Sequence, residues 1–179
     1  PPIDAILLSH DHYDHLCLPT LKRIARIGQP VVFTGKGVGR TVRKSGLRNI
    51  VELDWWQQCD WEDGWSIRGC PAQHFSGRTP FDRNKTLWLS FWLSTPSKAV
   101  YFAGDTGMGP HFDLVRQRLG CPDLSLIPIG AYKPEWFMSP VHMSPLEALQ
   151  SHDILGSKYS VATHFGTFAL AFDEQDGPQ

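Results

Sequence analysis

Three histidines fall within six residues in the segment Ser9-His10-Asp11-His12-Tyr13-Asp14-His15. Ile3 to Ser9 reads as a mostly buried strand, so this segment lies in the loop at a strand's end. In extended backbone, residues two apart project to one side. His10 and His12 can therefore aim both imidazoles at one metal ion. Asp14 and His15 follow once the chain turns, and can serve a neighbouring position. Imidazole and carboxylate donors together suit Zn²⁺, Mn²⁺ or iron. The plain alternative, a solvated loop rich in His and Asp, would crowd three imidazoles together with nothing gained.

Four donors from one loop do not close two sites, and three later positions have matching features. His74 follows the strand Trp65 to Cys70, Asp105 follows Ala99 to Ala103, and His164 follows Lys158 to Thr163. Each ends an apolar strand, where a rigid sheet can present it. A lone His at a strand end is more often structural, and only the first cluster gives these positions weight. Asp11 either supports a ligand from behind or is solvated. His111 and His152 fit local helix positions and receive no catalytic role.

The elements that must hold these groups are legible in outline. Pro19 to Arg26 predicts a helix closed by Gly28, and Val38 to Ser45 a basic helix ending at Gly46. Val31 to Thr34 and Asn49 to Leu53 predict strands. Thr86 to Ser94 and Ala99 to Ala103 predict two strands joined by Pro96-Ser97-Lys98. Phe112 to Leu119 predicts a helix and Leu124 to Ile129 a strand. Ser144-Pro145-Leu146-Glu147 has the signature of a capped helix start, and that helix should run to Leu155 and stop at Gly156. Paired strands followed by alternating helices and strands predict an α+β domain of packed sheets covered by helices.

Composition sets the outer bounds. The 179 residues, 41% hydrophobic and 20% charged, are about one domain's worth. A formal charge of −1 argues against a broad electrostatic grip on nucleic acid. No apolar run approaches the ~18 residues of a membrane span. Cys17, Cys59, Cys70 and Cys121 form no C-x-x-C pair and are expected to be free thiols. The tryptophans from Trp55 to Trp65 are expected to pack in core and loops, with a lipid-facing rim as the alternative. Arg40, Arg43, Lys44 and Arg48 read as a solvated helix face.

The donor set resembles the metallo-β-lactamase superfamily, whose signature is H-x-H-x-D-H followed by a separate His, an Asp and a final His. That pattern stands here as His10, His12, Asp14, His15, His74, Asp105 and His164. A closer resemblance is to the N-acylphosphatidylethanolamine-hydrolysing phospholipase D group, from about Ile3 to Leu170. It rests on Glu52 to Trp56, Pro71 to His74, Phe102 to Gly107, Ile127 to Tyr132 with Pro134, Trp136 to Met138, and His164 to Leu170. Two departures stand out: Asp11, where the group more often has Asn, and the sequence after Leu170, where a proline-containing continuation and a closing helix are expected.

The resemblance implies a four-layer αββα sandwich spanning 1–179 as a single, partial hydrolase domain, truncated at both ends. The strand at Ile3 to Ser9 should then expose an edge. It implies two divalent ions, Zn²⁺ first, with Mn²⁺ or iron as alternatives. His10, His12 and His74 would hold one; Asp14, His15 and His164 the other; Asp105 would bridge both. The implied reaction is attack of activated water on a phosphodiester, with Asp105 orienting the nucleophile and no Ser or Cys nucleophile needed. His142 falls where the group has a His near the substrate phosphate, able to donate to the leaving group; a surface His near a helix start is an equal alternative. The expected partner is a phospholipid-like or other small-molecule substrate, with peripheral membrane contact and no nucleic acid. The expected location is the cytoplasm or a membrane surface. The competing readings are a lactonase or another hydrolase of the same fold, and a metal-binding module without turnover.

Overall fold

The computed structural model describes residues 2–168 and 171–172. The final two positions of the His164 to Leu170 motif, and the sequence from Asp173 onward, lie outside the described residues.

Two sheets carry the fold. In the first, β1 (Ala5–Leu8), β2 (Val31–Gly35) and β3 (Ile50–Leu53) run parallel in the order β1-β2-β3. The helix α1 (Leu18–Ile27) connects β1 to β2, and the short α2 (Gly39–Val42) with a 3₁₀ turn at Arg43–Ser45 connects β2 to β3. Parallel neighbours need such crossovers. The second sheet has the order β4 (Gln58–Asp60), β5 (Ser66–Cys70), β6 (Ser90–Ser94), β7 (Ala99–Phe102), β8 (Leu124–Pro128) and β9 (Tyr159–Thr163). It is antiparallel from β4 to β7 and parallel from β7 to β9. The parallel half is again reached by crossovers, through α3 (His111–Leu119) and then through α4 (Glu135–Met138) and α5 (Pro145–Leu155).

Side-chain alternation builds four layers. Along β1, Ala5 and Leu7 face the second sheet, while Ile6 and Leu8 face α1. On β2, Phe33 enters the space between sheets and Val32 the helical side. On β6 and β7, Phe91 and Phe102 face inward, while Trp92 and Tyr101 face the core under α3 and α5. Helix, sheet, sheet and helix are therefore stacked with three apolar seams between them. This is the αββα sandwich that the family resemblance implies. The strand β1 is an edge, hydrogen-bonded only to β2 among the described residues.

Most predicted elements appear within a residue or two, and α5 has the full capping box. Ser144 Oγ accepts from the Glu147 N–H, and Glu147 Oε2 accepts from the Ser144 N–H at 2.8 Å. Three differences have local causes. The predicted helix Val38 to Ser45 tightens to 3₁₀ geometry in its second half and ends at Gly46, in left-handed conformation. The predicted strand Thr86 to Ser94 is regular only from Ser90, because the Leu87 and Leu89 N–H groups donate across to Lys36 and Ser9 carbonyls at the ends of the first sheet. The tryptophan segment hides the strand β4 and a 3₁₀ turn at Glu62–Gly64. Trp56 packs against the core under α3 and Trp61 against Phe33, as expected, whereas Trp55 stays exposed while its Nε1 donates to the Trp88 carbonyl.

Candidate metal centre

The predicted donors all leave the sheets at one rim. His10 comes two residues after β1, His74 follows β5, Asp105 follows β7 and His164 follows β9. The two sheets meet there at close quarters. Gly104 has φ +63°, and a Cβ on it would lie 2.6 Å from Ser9 Cβ, so only glycine lets the Asp105 turn approach the His10 turn. Gly130, after β8, would bring a Cβ to 2.1 Å from the His164 carbonyl oxygen. His164 itself has φ +60°, an uncommon conformation for a residue with a side chain, held where its ring points into the site.

Two groups of donors result. In the first, His10 Nε2 lies 2.9 Å from His12 Nδ1, and His74 Nε2 lies 3.2 Å from the same atom. His74 Nδ1 faces the Val141 carbonyl at 3.0 Å, which can only accept, so a neutral ring keeps its proton there and offers a bare Nε2 inward. His10 Nδ1 is likewise engaged from behind by Ser9 Oγ at 2.9 Å. Burial pushes all three rings toward the neutral form, His74 to about 3 and His10 and His12 downward.

In the second group, Asp14, His15, Asp105 and His164 converge. Asp105 Oδ2 is 3.1 Å from His15 Nε2 and 3.2 Å from His164 Nε2, while Asp14 Oδ2 is 3.3 and 3.4 Å from the same two nitrogens. Burial alone would raise both carboxyls, but hydrogen bonds from the histidines hold them well below the ordinary carboxylate range. The reverse holds for His15: burial is outweighed by Asp105 and Asp14, and its pKa rises to about 10. His164 moves upward for the same kind of reason, Asp14 leading. Concentrated negative charge thus draws positive charge into this half.

Asp105 faces both groups. Its Oδ2 is also 3.9 Å from His10 Nε2 and from His74 Nε2. Its Oδ1 is buried and has no hydrogen-bond partner. A buried carboxylate oxygen without a donor is costly unless a cation faces it. Bare imidazole nitrogens turned toward one another, two carboxylates and this orphaned oxygen fit a pair of divalent cations.

The remaining histidines divide. His142 sits between α4 and α5, its ring 5.2 Å from His74 and stacked on His164 at 5.6 Å. Its Nδ1 is buried without a partner, and it forms a further donor group with His74 and Asp105. The surface alternative for His142 is thereby disfavoured. A cavity of about 500 Å³ opens beside it, lined in part by Tyr132, Glu135, Ser139 and Leu146. His111 is buried against Thr106, and His152 contacts Ser160; neither reaches the donor groups. Asp11 is buried and fully bonded to backbone and hydroxyl groups, not solvated. Sequence reasoning passed over Gln73, whose Nε2 donates to the Pro140 carbonyl and ties the His74 loop to the segment before His142. No pattern of residue types announces that contact.

Comparison with known proteins adds a lineage. The sequence model of the family described as the beta-lactamase superfamily domain matches residues 1–165. An uncharacterized protein of Mycobacterium tuberculosis is 41% identical over 176 residues, covering 96% of this chain and 46% of that protein. A mitochondrial N-acyl-phosphatidylethanolamine-hydrolyzing phospholipase D of Saccharomyces cerevisiae is 36% identical over 178 residues, covering 96% of this chain and 38% of that protein. The chain thus spans less than half the length of either relative. A metallo hydrolase from the archaeon Ignicoccus hospitalis shares the fold, with a TM-score of 0.74 at 24% identity over 93% of this chain and 66% of that one.

Proposed function

Because the chain belongs to the beta-lactamase superfamily and has the metallo-β-lactamase fold, we propose that it is a metal-dependent hydrolase that cleaves a phosphodiester of N-acylphosphatidylethanolamine type. The observation that carries the metal-dependent part of this reading is Asp105, whose Oδ2 faces both histidine groups while its buried Oδ1 lacks a partner. We assign His10, His12 and His74 to one divalent ion, Asp14, His15 and His164 to a second, and Asp105 to both. Zn²⁺ is the first choice, with Mn²⁺ and iron compatible with the same donors. Residues 1–179 are read as one partial hydrolase domain.

The chemistry such ions supply when bound is Lewis acidity toward a phosphoryl oxygen and a lowered pKa for water. The protein's own groups do the rest. Asp105 holds the two halves in register and can accept a hydrogen bond from the attacking water. Burial keeps His142 neutral, so it carries one ring N–H that can donate to the leaving oxygen as the phosphorus–oxygen bond breaks. The cavity beside His142 gives the leaving alcohol a place. Trp136, Phe137, Leu146 and Leu149 stand exposed around the same helices and suit a substrate presented from a lipid surface. The named activity of the yeast relative supports the phospholipid substrate.

The test is metal analysis of purified protein together with a substrate panel of N-acylphosphatidylethanolamine, a simple phosphodiester and lactones. Two equivalents of metal with preferential phospholipid cleavage is the expected result. Preferential lactone cleavage would replace the substrate assignment, and bound metal with no hydrolysis would reduce the protein to a metal-binding module.

A further inference from the structure

Four of the seven donors ride on one loop, His10 to His15, and none of the regular strands includes them. What holds that loop is a second loop, which begins just after His74. Arg78 Nη1 donates to the Asp11 carbonyl at 2.6 Å and to the Leu16 carbonyl at 3.0 Å, gripping the donor loop at both ends. The Arg78 guanidinium also lies over the Tyr13 ring, 3.9 Å from its centroid. Asp11 reaches back in the other direction. Its Oδ1 accepts from the Gly77 N–H and its Oδ2 from Thr86 Oγ1, both at 2.9 Å.

The second loop is itself braced. Asp82 Oδ1 accepts from the Arg78 and Thr79 N–H groups, and Ser76 Oγ donates to the Thr86 carbonyl. Neither Arg78 nor Asp11 belongs to a donor group. The guanidinium spends its contacts on backbone carbonyls and an aromatic face, a use that suits its planar fork and that lysine cannot copy.

We infer that Asp11 and Arg78 are positioning residues that lock the His10–His15 loop to the His74 loop and so set the affinity of the metal centre. The inference rests on the metal reading of the site. Loops free to move would have to be ordered at the moment of binding, and that entropy is removed in advance by the two-way clamp. Groups that orient metal ligands from behind change affinity about 10–100-fold when removed.

The test is zinc competition against a chromophoric chelator for the wild type and four variants, alongside melting of the metal-free proteins. Arg78→Ala and Asp11→Ala should bind zinc at least ~10-fold more weakly. Asp11→Asn should recover to within about 3-fold of wild type, because its amide can still accept from Gly77 and donate to Thr86 Oγ1. Thr86→Val, which keeps the shape and removes one donor, should lose affinity by a smaller factor. Wild-type affinity in folded Arg78→Ala and Asp11→Ala overturns the inference, as does an Asp11→Asn variant as weak as Asp11→Ala, which would assign the effect to charge. Should either alanine variant fail to fold, Thr86→Val decides: weaker zinc binding supports the inference, and wild-type affinity there overturns it. A wild type that binds no zinc refutes the metal reading itself, a result separate from either outcome for the clamp.

Discussion

Asp14 Oδ2 and His164 Nε2 lie 3.4 Å apart, although 150 positions separate them in the sequence. One residue comes from the first sheet's opening loop and the other from the turn after the last strand. Their meeting closes the second donor group, and Asp105 Oδ2 approaches the same histidine nitrogen to 3.2 Å.

Asp105→Asn tests the assignment of Asp105 to both donor groups most directly. The amide removes the charge shared by both groups and turns one end into a donor facing histidine nitrogens. Bound metal should fall from two equivalents toward one, measured by elemental analysis, and hydrolysis should drop by at least about 100-fold. Retention of two ions and full turnover would refute the bridging role.

His142→Ala separates chemistry from metal binding. Turnover should fall about 10²-fold or more, as for loss of a proton donor, with metal content unchanged. Unchanged turnover removes His142 from the mechanism, and lost metal would move it into the ligand set.

Gly104→Ala forces a side chain into a positive-φ turn and against Ser9. The backbone term alone costs about 1–2 kcal/mol. Because Ser9 Oγ holds His10 Nδ1, zinc affinity should weaken as well as thermal stability. A melt and a chelator titration check the two effects separately.

His111, which belongs to neither donor group, predicts a pH dependence that a substitution can isolate. Burial lowers its pKa to about 4 from the ordinary 6.5. Between those values the unfolded chain binds a proton that the folded chain refuses. The neutral ring's contribution is thus complete above pH 6.5, falls away as pH drops toward 4, and is constant below. Relative to His111→Phe, the wild type should lose up to about 3 kcal/mol of its standing between pH 7 and pH 4. Denaturant melts of both proteins at those pH values measure the difference, and a constant gap would contradict it.

The sequence by itself determined which residues could offer donor atoms to a metal. Histidines and carboxylates at fixed offsets after apolar strands mark candidate metal ligands, because strand alternation and chain turns are local rules. Local rules also specified α5, since Ser144, Pro145 and Glu147 carry the capping information within four residues. Most strands were legible for the same reason. Long-range packing decided the rest. The stretch from Thr86 to Leu89 reads as strand, yet its N–H groups bond to the ends of the other sheet, which no pattern within the stretch encodes. The short β4 is held by its pairing with β5, and the single turn of α4 is too brief for any periodicity to announce. The pairing of donors into two groups with Asp105 between them, which the residues alone left open and only the family resemblance implied, and the grip of Arg78 on both ends of the donor loop arise when two sheets bring distant turns to one rim. Residue type fixes which atoms can bind a metal; the stacking of the sheets fixes which of those atoms meet.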